Sequence, residues 1–363
     1  MRSGGDHLLP EMHDRPYMMR CVRAGAFVAT AAFLLFSCEA DYDGPGALGH
    51  GFRKAGDTIL YHDIVLDNVD TGSFEVLDAS FCKDSRRVFY FDSYRESQDY
   101  FITKKHVVQE LEGADAATFT VLGHEHGKDR VQAWYHDRPF GVADLNSLMA
   151  LDTRFTKDDV HAYLDRKPVP GSHGRSFALI DHNYASDTLH RYYIQRALSD
   201  IAIAPIPCDL ASFSVVDYHY ALDMDHVFYK GRRIPGAEPG GFVVLGSCYA
   251  RDGRGVFFRD ERIEGADPAT FALFSENENS RGEVYYAQDK DHIYVNAAPF
   301  KGVDRASFRI LDEKYTVDTN GVYFRMKKVA NADPLSFKVY PHFFGDADAE
   351  DRSHKYGDGK RVE

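Results

Sequence analysis

The sequence predicts an all-β fold of tandem units with a period of 29 residues, and three spacings carry that prediction. A marker Phe, most often preceded by Ser or Thr, recurs at Phe74, Phe119, Phe177, Phe213, Phe242, Phe271, Phe308 and Phe337, with Leu148 replacing it once; the gaps are 45, 29, 29, 36, 29, 29, 37 and 29 residues. Ten residues after the marker stands an Asp (Asp84, Asp129, Asp158, Asp187, Asp223, Asp252, Asp318), with Asp289 displaced by an insertion. Five residues after each Asp is an aromatic (Phe89, Trp134, Tyr163, Tyr192, Phe228, Phe257, Tyr294, Tyr323), and three before it another, His126 alone departing. Stacking of equivalent side chains in neighbouring units explains this register.

The elements follow in chain order. Residues 1–37 read as a targeting segment: Arg20 and Arg23 precede an apolar run, Ala24 to Phe36, too short to span a bilayer comfortably. The run ends in Leu35-Phe36-Ser37-Cys38, which looks like a lipobox, so Cys38 is the expected lipidation site. Residues 38–57 then form an acylated, Gly-rich tether. The repeat domain is expected over 58–363, in about nine units. Around each Asp, two short apolar stretches flank a turn such as Asp318-Thr319-Asn320-Gly321, which reads as a β-hairpin. A second tight turn, such as Lys230-Gly231, leads to a third strand, giving a three-stranded meander. An Asp-Pro or Asp-x-Ala step, as at Gly265-Ala266-Asp267-Pro268, then caps a single turn that links one meander to the next strand, such as Phe308-Arg309-Ile310-Leu311. Nine short units suit an open, elongated stack; a propeller-like closed ring is the alternative.

The run Asp289-Lys290-Asp291-His292-Ile293-Tyr294, followed by Gly302-Val303-Asp304-Arg305-Ala306-Ser307-Phe308, resembles the bacterial DKNYY repeat family. The likeness extends over about Phe74 to Lys338, with departures at Asp129-Arg130-Val131-Gln132 and at Asp187 to Tyr193. The resemblance implies a secreted or envelope protein of bacteria and carries no catalytic residues.

Composition narrows the function classes. The net charge is −13, and removal of 1–37 takes away four arginines and three acids and makes it one unit more negative. Such a chain does not suit nucleic acid, whose phosphates need Lys and Arg. Acyl chains would hold it to the membrane, at the periplasmic face or the cell surface. Cys82, Cys208 and Cys248 lack paired spacing and are expected as free thiols, with a Cys208–Cys248 bridge as the alternative.

No sequence motif for catalysis or a cofactor is present, and none is expected. The repeated Asp residues read as turn formers rather than calcium ligands, because no late acid recurs at the required spacing. His124 and His126 would share one face of a strand and are weak metal candidates, two ligands falling short of a site. The candidate ligand contacts are Tyr90, Trp134, Tyr135, Tyr193 and Tyr229, the tyrosines being expected to point outward. The expected role is a non-catalytic binding or scaffold module for an envelope protein or glycan. The alternatives are a dedicated glycan binder and a hydrolase whose site is assembled between units. Three insertions, near Ser93 to Val107, Arg196 to Pro207 and Glu276 to Gly282, are where specificity should lie.

Overall fold

The computed structural model describes residues 44–95, 104–197, 200–275, 284–340 and 347–362. Its strands fall into ten antiparallel sheets, each an up-and-down meander, spanning 47–66, 75–110, 120–140, 149–168, 178–206, 214–233, 243–262, 272–299, 309–328 and 338–361. These are sheets 1 to 10 below. Each sheet has four strands, not the three expected. The extra strand follows the marker Phe, as at Arg309–Ile310, which pairs with Tyr315–Asp318. The sequence predicts a strand at Phe308 to Leu311 but does not count it into the meander; the pairing makes it the first strand of that sheet.

Two boundaries also move. Within the expected tether, Ala47–Gly49 and Phe52–Ala55 are the first strands of sheet 1. The glycines there make turns: Gly51 has φ +81°, and a Cβ on it would meet His62 Nε2 at 2.4 Å. Sheet 1 escapes the repeat template because Ala55 occupies the hairpin position held elsewhere by Asp. At the other end, Lys338–Val339, Ala349–Glu350, Lys355–Gly357 and Lys360–Arg361 complete sheet 10. Asp348 there replaces the usual aromatic, giving the terminal sheet a polar residue that receives the Tyr315 hydroxyl at 2.7 Å.

Alternation along the central strands explains the stacking. In sheet 7, Phe257 packs back onto Val227 and Tyr229 of sheet 6, while Tyr249, Val256 and Phe258 pack forward against Ala287 and Tyr294 of sheet 8. Both faces of an inner sheet are therefore covered, and aromatics at adjacent positions are buried together. Eight apolar clusters each join two consecutive sheets and the turn between them; the ninth, around Ala133, Phe140 and Leu148, joins sheet 3 to the turn that follows it, and among the described residues no cluster joins sheet 1 to sheet 10. The fold is an open repeat array of the kind expected.

The buried Asp of each unit ties one sheet to the next. Asp158 Oδ1 accepts the N–H groups of Val160 and His161 at 2.8 and 2.7 Å, shaping its own hairpin turn. Its Oδ2 accepts Asp144 N–H at 2.8 Å, in the turn arriving from sheet 3, and the Tyr163 hydroxyl at 2.6 Å. Burial alone would raise the pKa of this carboxyl, but these bonds to the charged form bring it below the ordinary value. Asp144 caps its own turn through Asn146 N–H and the Ser147 hydroxyl, and Ser147 Oγ in turn accepts Asp159 N–H at 2.8 Å. The marker Ser or Thr thus closes the same joint from the other side; at Phe242 the preceding residue is Gly241 and that hydroxyl is missing.

Candidate functional site

Two insertions lengthen the last hairpin of their sheets by the same amount. In sheet 5, Arg191–Arg196 pairs with Ile201–Ile206 from Arg191↔Ile206 to Arg196↔Ile201. In sheet 2, Val88–Tyr94 pairs with Lys105–Glu110 from Phe89↔Glu110 to Tyr94↔Lys105. The corresponding hairpins of sheets 6 and 7 are shorter, ending in the pairs Tyr229↔Arg232 and Phe258↔Glu261. Extra pairs at about 3.3 Å per residue carry each long hairpin past the edge of the array. The tip of the sheet 2 hairpin, 96–103, lies outside the described residues, as do the whole Glu276–Gly282 insertion, residues 1–37, Cys38 and the rest of the tether to residue 43.

Beneath the sheet 5 hairpin is an open cleft of about 600 Å³. Tyr193, Gln195, Ala202, Ala204 and Pro205 form one wall; Tyr229, Lys230, Gly231 and Arg232 of sheet 6, with Arg259 and Asp260 of sheet 7, form the other. The tight turns hold their cations in place. Lys230 and Arg259 have φ of +50° and +59°, and their N–H groups donate to the carbonyls of His219 and Cys248 at 2.7 Å. Each charge lies over the ring before it, Lys230 at 5.5 Å from the Tyr229 centroid and Arg259 at 5.1 Å from that of Phe258. Arg232 pairs with Asp260 at 3.0 Å.

The sheet 2 hairpin closes onto sheet 1 instead. His106 stacks on His62 with centroids 3.8 Å apart, and Tyr61 meets Phe91 edge-on at 5.2 Å. Ser93 Oγ lies 2.6 Å from His106 Nδ1 and 2.8 Å from the Tyr61 hydroxyl. A smaller cleft of about 200 Å³ remains, lined by His50, Tyr61, His62, Asp92, Ser93 and Lys104 among others. Ser93 and His106 fall within the insertion read from the sequence, Ser93 to Val107, but nothing in the sequence paired them with each other or marked His62.

The expected ligand contacts divide. Tyr193 and Tyr229 do line the sheet 5 cleft, but they are 6% and 4% exposed, and Tyr90 is 6% exposed, so these rings do not point outward. The neighbouring sheets cover both faces, which is why an aromatic beside the core aromatic is also buried. Trp134 is in the core between sheets 2 and 3, and only Tyr135, stacked on His126 at 4.6 Å, is half-buried. The paired-histidine expectation is corrected: His124 and Glu125 are the left-handed residues of a tight turn, with φ of 51° and 64°, so the two imidazoles do not share a strand face. His126 is buried, its Nδ1 2.6 Å from the His124 carbonyl, and burial pushes its pKa down to about 4. Among the described residues, no group of three or more His, Cys, Asp or Glu could hold a metal ion.

Cys82, Cys208 and Cys248 are free thiols. Burial raises the first two, Cys208 to about 11, which keeps them protonated and unreactive. Among the described residues, no helix is long and apolar enough to cross a membrane.

Comparison with known proteins follows the repeat. No curated protein and no solved structure matches the chain. The DKNYY family model matches it twice, over residues 93–232 and 220–360, two overlapping stretches that together span sheets 3 to 9 and parts of sheets 2 and 10. The chain therefore belongs to the DKNYY family.

Proposed function

We propose that this protein is a non-catalytic binding module of the bacterial cell envelope, anchored to the membrane through acylated Cys38 and presenting its array to an envelope macromolecule. One observation carries the binding role: the sheet 5 hairpin overhangs the turns of sheets 6 and 7 and leaves a concave, charged cleft on the repeat surface. The anchor rests on the sequence at 20–38.

The test has two parts. Labelled palmitate should enter the wild-type chain and not Cys38→Ala, which should shift to the soluble fraction; labelling of both, or of neither, removes the anchor. Purified protein lacking the lipid should sediment with isolated cell-wall polysaccharide, and shortening the sheet 5 hairpin to the length of its neighbours should abolish this. Equal retention of both proteins, or of neither, contradicts the binding role of the cleft.

A second reading, a hydrolase assembled between units, is favoured by the Ser93–His106 contact at 2.6 Å. It requires ester hydrolysis that is lost in Ser93→Ala and titrates with an imidazole. Wild-type and variant rates that agree would remove it.

A further inference from the structure

We propose that the sheet 5 cleft binds a carboxylate-bearing saccharide, an inference that rests on the binding-module reading and names its ligand class. The charge distribution is the first argument. The chain carries a net charge of −13, yet the cleft gathers Lys230, Arg232 and Arg259 against the single acid Asp260. Arg232 and Asp260 neutralise each other. Among the described residues no carboxylate lies within salt-bridge distance of Lys230 or Arg259, so the cleft keeps two unpaired cations on one wall.

Preorganisation is the second argument. Arg259 is fixed at both backbone ends, its N–H on the Cys248 carbonyl at 2.7 Å and its own carbonyl on the Tyr220 hydroxyl at 2.9 Å. Its guanidinium carbon lies 5.1 Å from the Phe258 ring centroid, and a planar guanidinium can meet a carboxylate in bidentate fashion. The backbone of the turn is therefore fixed before a ligand arrives, which lowers the ordering cost of binding.

The lining supplies the third. Ala202, Ala204 and Pro205 give a shallow apolar wall, and Gln195, the Tyr193 and Tyr229 edges and Asp260 add hydroxyl-binding groups. A cleft of this size, mixed and open along its length, suits a few sugar rings with one carboxylate each. A long polyanion would meet the repulsion of the whole acidic array.

Sheet 9 provides an internal control. Arg325 occupies the same left-handed turn position, φ +45°, with its charge 5.7 Å from the Phe324 centroid, and it does not line the cleft.

The experiment is calorimetric titration of the full chain with trigalacturonate and with its methyl ester. The acid should bind, the ester should bind about tenfold more weakly or worse, and Arg259→Gln and Lys230→Gln should each weaken the acid by about tenfold. Arg325→Gln should leave binding unchanged. Equal affinity for acid and ester, or equal losses in Arg259→Gln and Arg325→Gln, overturns the proposal, as does binding of neither saccharide. Wall-polysaccharide retention that still depends on the hairpin would, in those cases, leave the binding module standing and remove only the ligand class. Unchanged circular dichroism and melting of Arg259→Gln verify that the variant folds.

Discussion

The long hairpins of sheets 2 and 5 have the same number of paired residues and opposite surroundings. The first is closed by rings: His62 against His106, Tyr61 against Phe91, and Ser93 held between Tyr61 and His106. The second faces the array with Ala202, Ala204 and Pro205, side chains too small to reach the turns of sheets 6 and 7, and a cleft results. Hairpin length decides that the chain overhangs; side-chain volume at alternate positions decides whether the overhang is a packed joint or a binding surface.

The comparison can be broken first at what the two hairpins share. Asp187 accepts N–H bonds from Leu189, His190 and His173 and the Tyr192 hydroxyl, while Asp84 accepts those of Arg86, Arg87 and Asp70. Asp187→Ala and Asp84→Ala should each cost about 3–5 kcal/mol, because several buried donors lose their acceptor at once. Denaturant unfolding followed by far-UV circular dichroism measures this; a loss below about 1 kcal/mol in either would show that the carboxylate does not carry the joint.

The same carboxylates set the response to acid. For Asp187 and Asp84, burial pushes the pKa up, but the hydrogen bonds outweigh it and the net shift is downward. Their contribution is complete above the unfolded carboxylate value near 3.9 and is lost as pH falls through the lower folded value. Both joints should therefore hold at pH 5 and open together below about pH 4, measured by hydrogen exchange across a pH series. Loss of either joint between about pH 5 and pH 7 would contradict the account.

Gly231 sharpens the comparison at the cleft. It has φ +73°, and a Cβ would lie 2.7 Å from Tyr193 Cβ. Gly231→Ala should cost about 1–3 kcal/mol and displace the cleft floor, whereas Gly240→Ala, on a glycine with open space around it, should be near neutral. Thermal melts of the two variants provide the check.

The smallest effect concerns tyrosines at one repeat position. Tyr220 donates its hydroxyl to the carbonyls of Cys248 and Arg259 in the next sheet, at 3.0 and 2.9 Å. The buried hydroxyl of Tyr184, at the sheet 5 position beside the cleft, has no such partner among the described residues. Tyr220→Phe should cost about 1–2 kcal/mol, and Tyr184→Phe should be neutral or slightly stabilising. Equal costs would place a bond on Tyr184 that the geometry does not show.

How far the sequence could be read follows from what repeats. The Asp and the aromatics at fixed distances from it perform one job in every unit, so their spacing revealed the array, its turns and its insertions. Sheet 1 was hidden because Ala55 stands where the others have Asp. The strands after the marker Phe were read, as at Phe308 to Leu311, but not counted into the sheet that follows them, because their spacing does not show which hairpin they pair with. Tyr193 and Tyr229, read as outward ligand contacts, line the cleft but are buried, since a sequence period does not say that both faces of a sheet are covered. The cations Lys230 and Arg259 gave no signal of a site. They become neighbours only because two turns 29 residues apart stack beside a hairpin from a third unit.

The central claim is that the sheets form an open array in which sheet 1 and sheet 10 do not meet. Small-angle scattering of residues 44–362 tests it most directly. Ten sheets stacked at about 10 Å intervals give a longest dimension on the order of 100 Å, and a radius of gyration well above the roughly 20 Å of a compact chain of this length. A value near 20 Å, with a distance distribution showing a central hole, would mean that the first and last sheets close a ring and would contradict the account.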